Sequence, residues 1–417
     1  MTAQDRKYYD SLETRDLATR EAGQFAALKE QIAHAKANSA YFAESLKEVA
    51  AESVGDYAAL SRLPLTRKSD LMAKQKAMPP FGGLNAEPFE TLAHVFMSPG
   101  PIYEPGQSGR DFFRMGRAMW AAGFRPGNLV YNTFSYHMTP AGMMMENGAH
   151  AVGCPVFPAG VGNTEMQLQA ISELKPAAYV GTPSFLKILM EKGAEADLDM
   201  SSLKTASVGG EALPPSLRAE LKSLGVSSVT QSYGTADLGL IAYESEAMEG
   251  MIIDEGVIVE IVRPGTGDPV ADGEVGEVVV SSFNKTYPLI RFATGDMSAI
   301  MAGVSPCGRT NRRIKGWMGR ADQRAKVKGM FVDPAQIADL HKRHPEIAKL
   351  RLVITSENNL DVMTLQCEMS SGETTGPKEA IETSLQSLCK VRGAVAFVAK
   401  GSLANDGKVI DDARTYE

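Results

Sequence analysis

Residues 205–237 read TASVGGEALPPSLRAELKSLGVSSVTQSYGTAD. A short apolar run over 205–208 is followed by a glycine turn, a stretch over 214–224 with apolar residues at helical spacing, and a second apolar run over 226–231. Short apolar runs that alternate with helical segments are typical of βαβ units, in which the strands are parallel. The stretch therefore predicts a strand, a turn, a helix and a second strand, followed by a loop over 232–237.

The same alternation extends upstream to about residue 108. It predicts helices over 112–123, 141–152, 165–174 and 183–192, and strands over 129–131, 154–157 and 177–180. Ligands of parallel sheets bind beyond the carboxyl ends of the strands. The loops that follow the strands are therefore the first places to look for chemistry, and these are 134–140, 181–183, 209–211 and 232–237.

The pattern changes twice further along the chain. Residues from about 250 to 300 are rich in β-branched residues and hairpin turns, which predicts an antiparallel β subdomain. After Arg320, short strands alternate with two helical stretches, which predicts a small α+β domain over 322–417. We therefore expect an α/β protein, with a large N-terminal domain over 1–320 that has mainly parallel sheets and the β subdomain, and a small C-terminal α+β domain over 322–417.

The composition excludes several classes of protein. Of the 417 residues, 44% are hydrophobic and 22% are charged, which is typical of globular proteins and not of disordered or fibrous chains. The net charge of −7 argues against a surface that binds nucleic acid. No apolar run approaches the ~20 residues that span a bilayer, and the start of the chain has no apolar signal segment. We expect a cytoplasmic protein without a nucleic-acid or membrane partner.

Five short motifs carry the chemistry, and their order is more specific than any one of them. They are SVGGE over 207–211, QSYGTAD over 231–237, RFATGD over 291–296, GRAD over 319–322 with KG at 328–329, and DGK over 406–408. This series resembles the adenylate-forming superfamily, the acyl-CoA synthetases and their relatives. Within it, LPLTRKSDL over 63–71, CGRT over 307–310 and FVDPAQI over 331–337 resemble the phenylacetate–CoA ligase family.

The resemblance implies an ATP-dependent carboxylate–CoA ligase for a small aromatic or aryl-acetic acid, with a homodimer as a possible assembly. ATP and the acid would form an acyl-adenylate, because a carboxylate has no good leaving group, and coenzyme A would then displace AMP. Holding the carboxylate and the α-phosphate together requires positive charge and Mg²⁺. Two alternatives remain open: an adenylating enzyme with an acceptor other than coenzyme A, and a degenerate homologue that binds nucleotide or acyl-CoA without turnover.

The resemblance also implies roles in the nucleotide site. The residues so implied are Gly209, Gly210 and Glu211 beside the adenine, Ser232, Tyr233, Gly234 and Thr235 in the next motif, Asp296 on the ribose, and Arg320 on the ribose or phosphate. Tyr233 would cover the second face of the adenine. Asp237 stands where the family places a magnesium-binding Glu, and Lys408 would bridge the carboxylate and the α-phosphate.

The resemblance further implies an acyl pocket, a hinge and a thiol channel. The implied pocket residues are Tyr136, His137, Gly181, Thr182 and Pro183. For His137 a structural role is equally compatible with the sequence. Asp322 is the implied hinge about which the small C-terminal domain moves as a mobile lid. Lys328 and Gly329 belong to the implied wall of the coenzyme A channel.

The stretch MSPGPIYEP over 97–105 departs from the family, whose phosphate loop is rich in Ser, Thr and Gly and ends in Gly-Lys-Pro. Here Glu104 stands in the place of the lysine, and three prolines remove backbone donors. An acid beside a triphosphate opposes its binding, which motivates the alternative without turnover. Ala236 also replaces a hydroxyl-bearing residue of the tyrosine motif. Of the cysteine cluster that is suited to zinc in some branches of the family only Cys307 remains, so no zinc is expected.

Overall fold

The structure is a computed structural model that describes residues 6–109, 111–263, 266–321, 325–357, 360–403 and 409–414. Contacts between residues divide the chain into two compact units, Met1–Met318 and Gly319–Glu417. The domain limits expected from the sequence, 1–320 and 322–417, stay a prediction, and the expected hinge Asp322 lies outside the described residues. Each unit has its own buried apolar core.

The first unit combines helices with many short strands. Its helices are α1 (Leu17–Asn38), α2 (Ala40–Ser45), α3 (Tyr57–Leu60), α4 (Leu71–Ala77), α5 (Gly116–Ala122), α6 (Ala141–Val152), α7 (Thr164–Leu174), α8 (Pro183–Glu195) and α9 (Pro215–Ser223). Its strands are β1 (Thr66–Arg67), β2 (His94–Ser98), β3 (Ile102–Gly106), β4 (Val130–Asn132), β5 (Val156–Pro158), β6 (Ala178–Gly181), β7 (Thr205–Val208), β8 (Ser228–Thr235), β9 (Gly239–Tyr243), β10 (Met251–Ile253), β11 (Val257–Val262), β12 (Gly276–Ser282), β13 (Phe292–Ser298), β14 (Ile300–Met301) and β15 (Arg313–Ile314).

Most of these strands form one large sheet in the order β14-β15-β10-β9-β8-β7-β6-β4-β5. Strands β4 to β8 are parallel. Their apolar side chains, among them Val130, Ala178, Ala206 and Val229, are completely buried. The α/β fold class expected from the alternating pattern is therefore confirmed, and the carboxyl ends of these strands meet at one edge of the sheet.

Helix α5 begins later than the sequence pattern predicts. The apolar spacing predicts a helix from residue 112, whereas α5 begins at Gly116. Asp111 and Arg114 have left-handed φ angles of 59° and 63°, which a right-handed helix excludes. Arg114 instead donates from Nη2 to the Leu240 carbonyl oxygen of β9 at 2.9 Å. This arginine thus joins the start of α5 to the antiparallel half of the large sheet.

The segment expected as one β subdomain divides between two sheets. Strands β11, β12 and β13 pair antiparallel, and β13 also pairs in parallel with β1 from the beginning of the chain. Strand β10 pairs with β9 and β15 in the large sheet instead. Apolar, β-branched sequence predicts the strands but not their partners, because pairing depends on tertiary contacts. Strand β13 contains Asp296, so this second sheet positions one of the predicted site residues.

A buried cluster of charge fixes the residues that precede α1. We call it the N-terminal clamp (Tyr9, Glu13, Tyr243 and Arg309). Glu13 Oε1 accepts from Arg309 Nε at 2.5 Å and from the Tyr243 hydroxyl at 2.8 Å, and Oε2 accepts from Tyr9 N at 2.5 Å. Glu13 and Arg309 are each 1% exposed. Both carboxylate oxygens of Glu13 therefore have donors, as a buried charge requires.

The second unit is a small α+β fold. Its elements are the strands β16 (Ala325–Val327), β17 (Met330–Val332), β18 (Ile347–Glu357), β19 (Leu360–Met369), β20 (Ala394–Phe397) and β21 (Ile410–Asp412), and the helices α10 (Pro334–Arg343) and α11 (Lys378–Cys389). Strands β16 and β17 form a hairpin, and the others form a sheet in the order β20-β19-β18-β21. Asp333 and Gln336 form a capping box that starts α10. In the described part of the chain, every helix is too short or too polar to cross a membrane.

Candidate active site

The turn after β7 lies between the ends of two neighbouring strands. Gly209 N donates to the Gly181 carbonyl oxygen, at the end of β6, at 3.2 Å. A Cβ atom on Gly209 would lie 3.4 Å from the Ser232 carbonyl oxygen on β8. Gly210 has a φ of 78°, a conformation that glycine adopts without strain. The two glycines therefore present bare backbone at the carboxyl edge of the sheet, where a flat base could stack.

Hydroxyl groups crowd against the turn that follows β6. A Cβ atom on Gly181 would lie 2.0 Å from Thr133 Oγ1 and 2.2 Å from the Tyr179 hydroxyl, so only glycine fits. Thr182 is the side-chain cap of α8, and Pro183 is the first residue of that helix. The predicted pocket residues Gly181, Thr182 and Pro183 thus form a well-fixed turn at the carboxyl edge.

Glu211 connects the turns after β6 and β7. Its carboxylate is half-buried, and its Oε2 accepts a hydrogen bond from Ser184 Oγ at 2.6 Å. Ser184 lies in the first turn of α8. Ser184 directly follows the predicted pocket residues Thr182 and Pro183, but its bond to Glu211, 27 residues away, is not visible in the sequence.

Tyr136 and His137 follow β4 and differ in their surroundings. The Tyr136 hydroxyl donates to Glu146 Oε2 at 2.7 Å and accepts from Asn132 Nδ2 at 2.8 Å. Burial raises the pKa of Tyr136, and the Glu146 carboxylate adds to this effect. The side chain of His137 is exposed. Tyr136 is thus held in one orientation by side chains of β4 and α6, which sequence analysis did not identify as partners.

The tyrosine motif continues β8 and is not a loop. Strand β8 spans Ser228–Thr235 and pairs antiparallel with β9. The predicted loop over 232–237 is therefore wrong for its first four residues, because β9 supplies backbone partners that the local sequence does not reveal. The register shifts between Tyr233 and Gly234, where a Cβ on Gly234 would lie 2.6 Å from the Gly239 carbonyl oxygen. This bulge requires glycine at position 234.

Tyr233 and Asp296 are in direct contact although 63 residues separate them. The Tyr233 hydroxyl donates to Asp296 Oδ2 at 2.9 Å, and Trp317 Nε1 donates to Oδ1 at 3.1 Å. Each oxygen of the Asp296 carboxylate therefore accepts from the side chain of an aromatic residue, and these two bonds fix its orientation. Sequence analysis did not identify Trp317. Its position, two residues before the GRAD motif, was the signal that could have found it.

The altered phosphate loop is a β-hairpin formed by β2 and β3. Glu104 on β3 is 1% exposed, and it accepts hydrogen bonds from Ser98 N at 3.2 Å and from Ser98 Oγ. Burial raises the pKa of Glu104 to about 8, and the nearby Asp237 carboxylate adds to this effect, while the Lys68 ammonium group and Ser98 oppose it. Burial therefore favours the neutral form of this carboxyl group, which lessens the negative charge that the hairpin presents.

Asp237 is paired with a lysine from the beginning of the chain. Lys68 Nζ donates to Asp237 Oδ2, and the carboxylate is fully buried. Asp237 Oδ1 is buried and has no hydrogen-bond partner in the described part of the chain. We call Lys68, Glu104 and Asp237 the phosphate-loop cluster. In the sequence Lys68 is visible only as part of the family motif over 63–71, although the loss of a cation at position 104 was a signal to look for another.

The unpartnered oxygen of Asp237 fits a bound Mg²⁺ ion. Mg²⁺ is usually held by one or two carboxylates together with substrate phosphates, and not by a cage of protein ligands. Within the described ranges, no group of three or more His, Cys, Asp or Glu side chains is placed to hold a metal ion. Asp237 Oδ1 therefore supplies one suitable ligand for a metal ion that arrives with nucleotide phosphates.

The predicted residues of the second unit lie near its hairpin. Lys328 and Gly329 form the turn between β16 and β17, with left-handed φ angles of 49° and 82°. Lys328 N donates to Asp361 Oδ2 at 2.9 Å. The Arg320 guanidinium lies 5.7 Å from the centre of the Phe331 ring. The predicted catalytic residue, Lys408, lies outside the described residues, as does the predicted hinge.

Comparison with known proteins gives relatives along most of the chain. A sequence model of a family described as AMP-binding enzyme matches residues 113–286. The phenylacetate-coenzyme A ligase of Thermus thermophilus is 32% identical over 327 residues, which are 75% of this chain and 72% of that protein. The phenylacetate-coenzyme A ligase of Aromatoleum evansii is 28% identical over 380 residues, which are 86% of this chain and 84% of that protein.

A solved structure matches nearly the whole chain. The structure of 2-hydroxyisobutyryl-CoA ligase in complex with 2-HIB-AMP and CoA aligns with a TM-score of 0.85 and 25% identity, covering 99% of this chain and 94% of that one.

Proposed function

The chain belongs to the phenylacetate–CoA ligase family of adenylate-forming enzymes, and from this premise we propose that its acid substrate is a small aromatic or aryl-acetic acid. It is an ATP-dependent, AMP-forming acid–CoA ligase. The carboxylate attacks the α-phosphorus of ATP, which gives an acyl-adenylate and pyrophosphate, and the thiol of coenzyme A then displaces AMP. The names of the family members support the aromatic acid, as does Tyr136, an aromatic side chain fixed on the loop after β4.

The observation that carries the proposed nucleotide site is the contact between Tyr233 and Asp296. It brings together two motifs that come from different sheets, β8 in the large sheet and β13 in the second sheet. We assign the ribose to Asp296, one face of the adenine to Tyr233, and the other face to the backbone of Gly209 and Gly210. A base stacks well on an aromatic ring and on side-chain-free backbone.

We assign Mg²⁺ binding to Asp237. Bound there with the nucleotide, the metal ion would neutralise phosphate charge and polarise the α-phosphate. Asp237 itself would orient the triphosphate by holding its counter-ion at a fixed place beside β8. Its buried Oδ1 atom without a hydrogen-bond partner in the described structure supports this assignment.

We assign the bridge between the carboxylate and the α-phosphate to Lys408, the hinge to Asp322, and part of the coenzyme A channel to the Lys328–Gly329 turn. A lysine suits two neighbouring anions because its ammonium group is compact and has three donors. Lys408→Ala is expected to slow adenylation by several orders of magnitude. A rate within tenfold of the parent, about 1.4 kcal/mol in the barrier, would contradict this role.

Pyrophosphate exchange with a panel of acids tests the substrate assignment. Phenylacetate, benzoate, 2-hydroxyisobutyrate and acetate are compared, with and without coenzyme A, and acyl-CoA formation is measured in parallel. We expect kcat/KM to be highest for phenylacetate or benzoate. A preference of tenfold or more for either aliphatic acid contradicts the aromatic assignment. Exchange without acyl-CoA formation would favour another acceptor, and AMP binding without exchange would favour a homologue without turnover.

A matched pair of variants tests the nucleotide site. Asp296→Asn removes the charge that is assigned to the ribose, whereas Asp272→Asn removes a charge from an exposed carboxylate that pairs with Arg312. We expect Asp296→Asn to weaken AMP binding at least tenfold in calorimetry and Asp272→Asn to leave it unchanged. Equal AMP affinity in the two variants would contradict the assignment of Asp296.

A further inference from the structure

The ion pair of Lys68 and Asp237 is incomplete. The side chain of Asp237 is 0% exposed and that of Lys68 is 12% exposed. Lys68 satisfies only Oδ2, while Oδ1 has no donor within the residues that the structure describes. Burying a carboxylate oxygen without a donor is unfavourable, so Asp237 Oδ1 is suited to bind a second cation in addition to Lys68.

The same pair lies beside the hairpin position that lacks its cation. Glu104 is close enough to both Lys68 and Asp237 for their charges to affect its carboxyl group. Two hydrogen bonds from Ser98 hold Glu104 within the hairpin. Lys68, which enters from the short turn after β1, therefore brings a positive charge to the place where Glu104 has replaced one.

We propose that Lys68 is the phosphate-binding cation of this chain, and that it exchanges one anionic partner for another during nucleotide binding. Without nucleotide, Lys68 holds Asp237. When Mg–ATP binds, Lys68 releases Asp237 to the metal ion and moves to the β- and γ-phosphates. The inference rests on the proposed function, since it needs Mg–ATP as the ligand.

Two physical reasons support the exchange. A lysine and a divalent cation on one buried carboxylate repel each other, whereas a triphosphate offers the lysine a larger negative charge. Lysine also has a compact charge on a flexible four-carbon stem, so a change of partner requires only rotation of its side chain. An arginine, with its planar fork, would be held more firmly by the carboxylate.

Binding measurements on Lys68→Met test the proposal, with Lys76→Met as the matched control. Lys76 is exposed on α4, so its replacement changes net charge equally without touching the cluster. Mn²⁺ binding without nucleotide is measured by electron paramagnetic resonance, and Mg–ATP and AMP binding by calorimetry. We expect Lys68→Met to bind Mn²⁺ at least tenfold more tightly and Mg–ATP at least tenfold more weakly. AMP affinity is expected to stay unchanged, because AMP lacks the β- and γ-phosphates, and Lys76→Met is expected to match the parent in all three.

The proposal is overturned if Lys68→Met binds Mn²⁺ and Mg–ATP with the parent's affinities, even if its unfolding temperature falls. It is also overturned if Lys68→Met binds AMP and Mg–ATP more weakly than the parent by the same factor. If Lys68→Met does not fold, the double variant Lys68→Met/Asp237→Asn, which leaves neither charge unpaired, replaces it. Mg–ATP binding at least tenfold weaker than in Asp237→Asn alone then supports the proposal, and equal affinity overturns it.

Failure of the proposed function has a different signature. It would appear as parent enzyme that catalyses no pyrophosphate exchange with any acid. The Mn²⁺ comparison involves neither acid nor turnover, so it reports on the exchange of partners by Lys68 independently.

Discussion

The N-terminal clamp and the phosphate-loop cluster differ in how many hydrogen-bond donors their buried carboxylates have. In the clamp, Glu13 accepts from Arg309, Tyr243 and Tyr9 on both of its oxygens. In the phosphate-loop cluster, Asp237 has a donor on one oxygen only, and the carboxyl group of Glu104 lies beside it. The acidic residues of both clusters are buried.

The difference separates a structural cluster from a binding site. A buried ion pair whose lone pairs and protons are all satisfied contributes to holding chain segments together, and removing one partner is strongly destabilising. A buried carboxylate that lacks a donor beside a second acid gains only when a cation arrives. We therefore expect substitutions in the clamp to change stability, and substitutions in the phosphate-loop cluster to change nucleotide chemistry.

The largest expected effect is in the clamp. Glu13→Gln removes the buried counter-ion of Arg309 and leaves it only the exposed Glu246 carboxylate, so it should lower the free energy of unfolding by about 3–5 kcal/mol, measured by urea denaturation. Glu246→Gln is the matched control, because Glu246 also contacts Arg309 but is 53% exposed, and it should change stability by less than about 0.5 kcal/mol. Pyrophosphate exchange per folded molecule should match the parent in both. A loss below about 1 kcal/mol in Glu13→Gln would contradict the structural role.

In the phosphate-loop cluster, we expect a large loss of activity with only a small change in stability. Asp237→Asn should slow pyrophosphate exchange by about 100-fold or more, about 2.7 kcal/mol in the barrier, because it removes the charge that holds the counter-ion of the triphosphate. Its free energy of unfolding should change by less than about 2 kcal/mol, because the substitution also removes a buried charge whose Oδ1 atom has no donor in the described structure. Exchange within tenfold of the parent, or a stability loss as large as that of Glu13→Gln, would remove the distinction between the two clusters.

The smallest effect is expected at Asp111, which is intermediate between Glu13 and Asp237. Its two carboxylate oxygens share a single donor, the Gly116 amide, at 3.1 and 2.9 Å. Burial raises the pKa of Asp111 to about 6, against the opposing hydrogen bond from Gly116. The folded state therefore holds its proton to a higher pH than the unfolded state, in which the pKa is about 3.9. The stability of the parent relative to Asp111→Asn should thus fall by about 2 kcal/mol as the pH rises from about 4 to about 6, and level off only above about pH 7.

Thermal unfolding at several pH values measures this dependence. Asp197→Asn is the control for backbone conformation, because Asp197 has a similar left-handed φ of 54° at an exposed position. If the curves of the parent and Asp111→Asn run parallel across this pH range, Asp111 does not contribute to the pH dependence of stability.

The parallel half of the large sheet could be predicted because its signals are local. Each of β4, β6 and β7 is a short apolar run that lies next to a helical stretch. The strand character of 232–235 could not be predicted, because it depends on pairing with β9. The start of α5 was likewise hidden, since Arg114, whose φ angle is left-handed, donates to the Leu240 carbonyl oxygen of the distant strand β9.

The candidate site shows the same limit. Family motifs indicated Tyr233 and Asp296, and these side chains do touch. The pairing of Lys68 with Asp237 joins residues 169 positions apart, and no local pattern links them. Trp317 was missed for the same reason, because its bond to Asp296 arises only when the chain following β15 returns to β13. Residue types could therefore be predicted, but partnerships between distant segments required the structure.

The paired hairpin of β2 and β3 has a thermodynamic consequence. An open glycine-rich loop loses conformational entropy when it closes around a nucleotide, whereas five residue pairs between β2 and β3 have already lost that freedom during folding. Nucleotide capture by this chain should therefore begin from a preorganised surface. Its binding entropy should therefore be less unfavourable than that of an open loop that becomes ordered on binding, so that less of the binding enthalpy is offset.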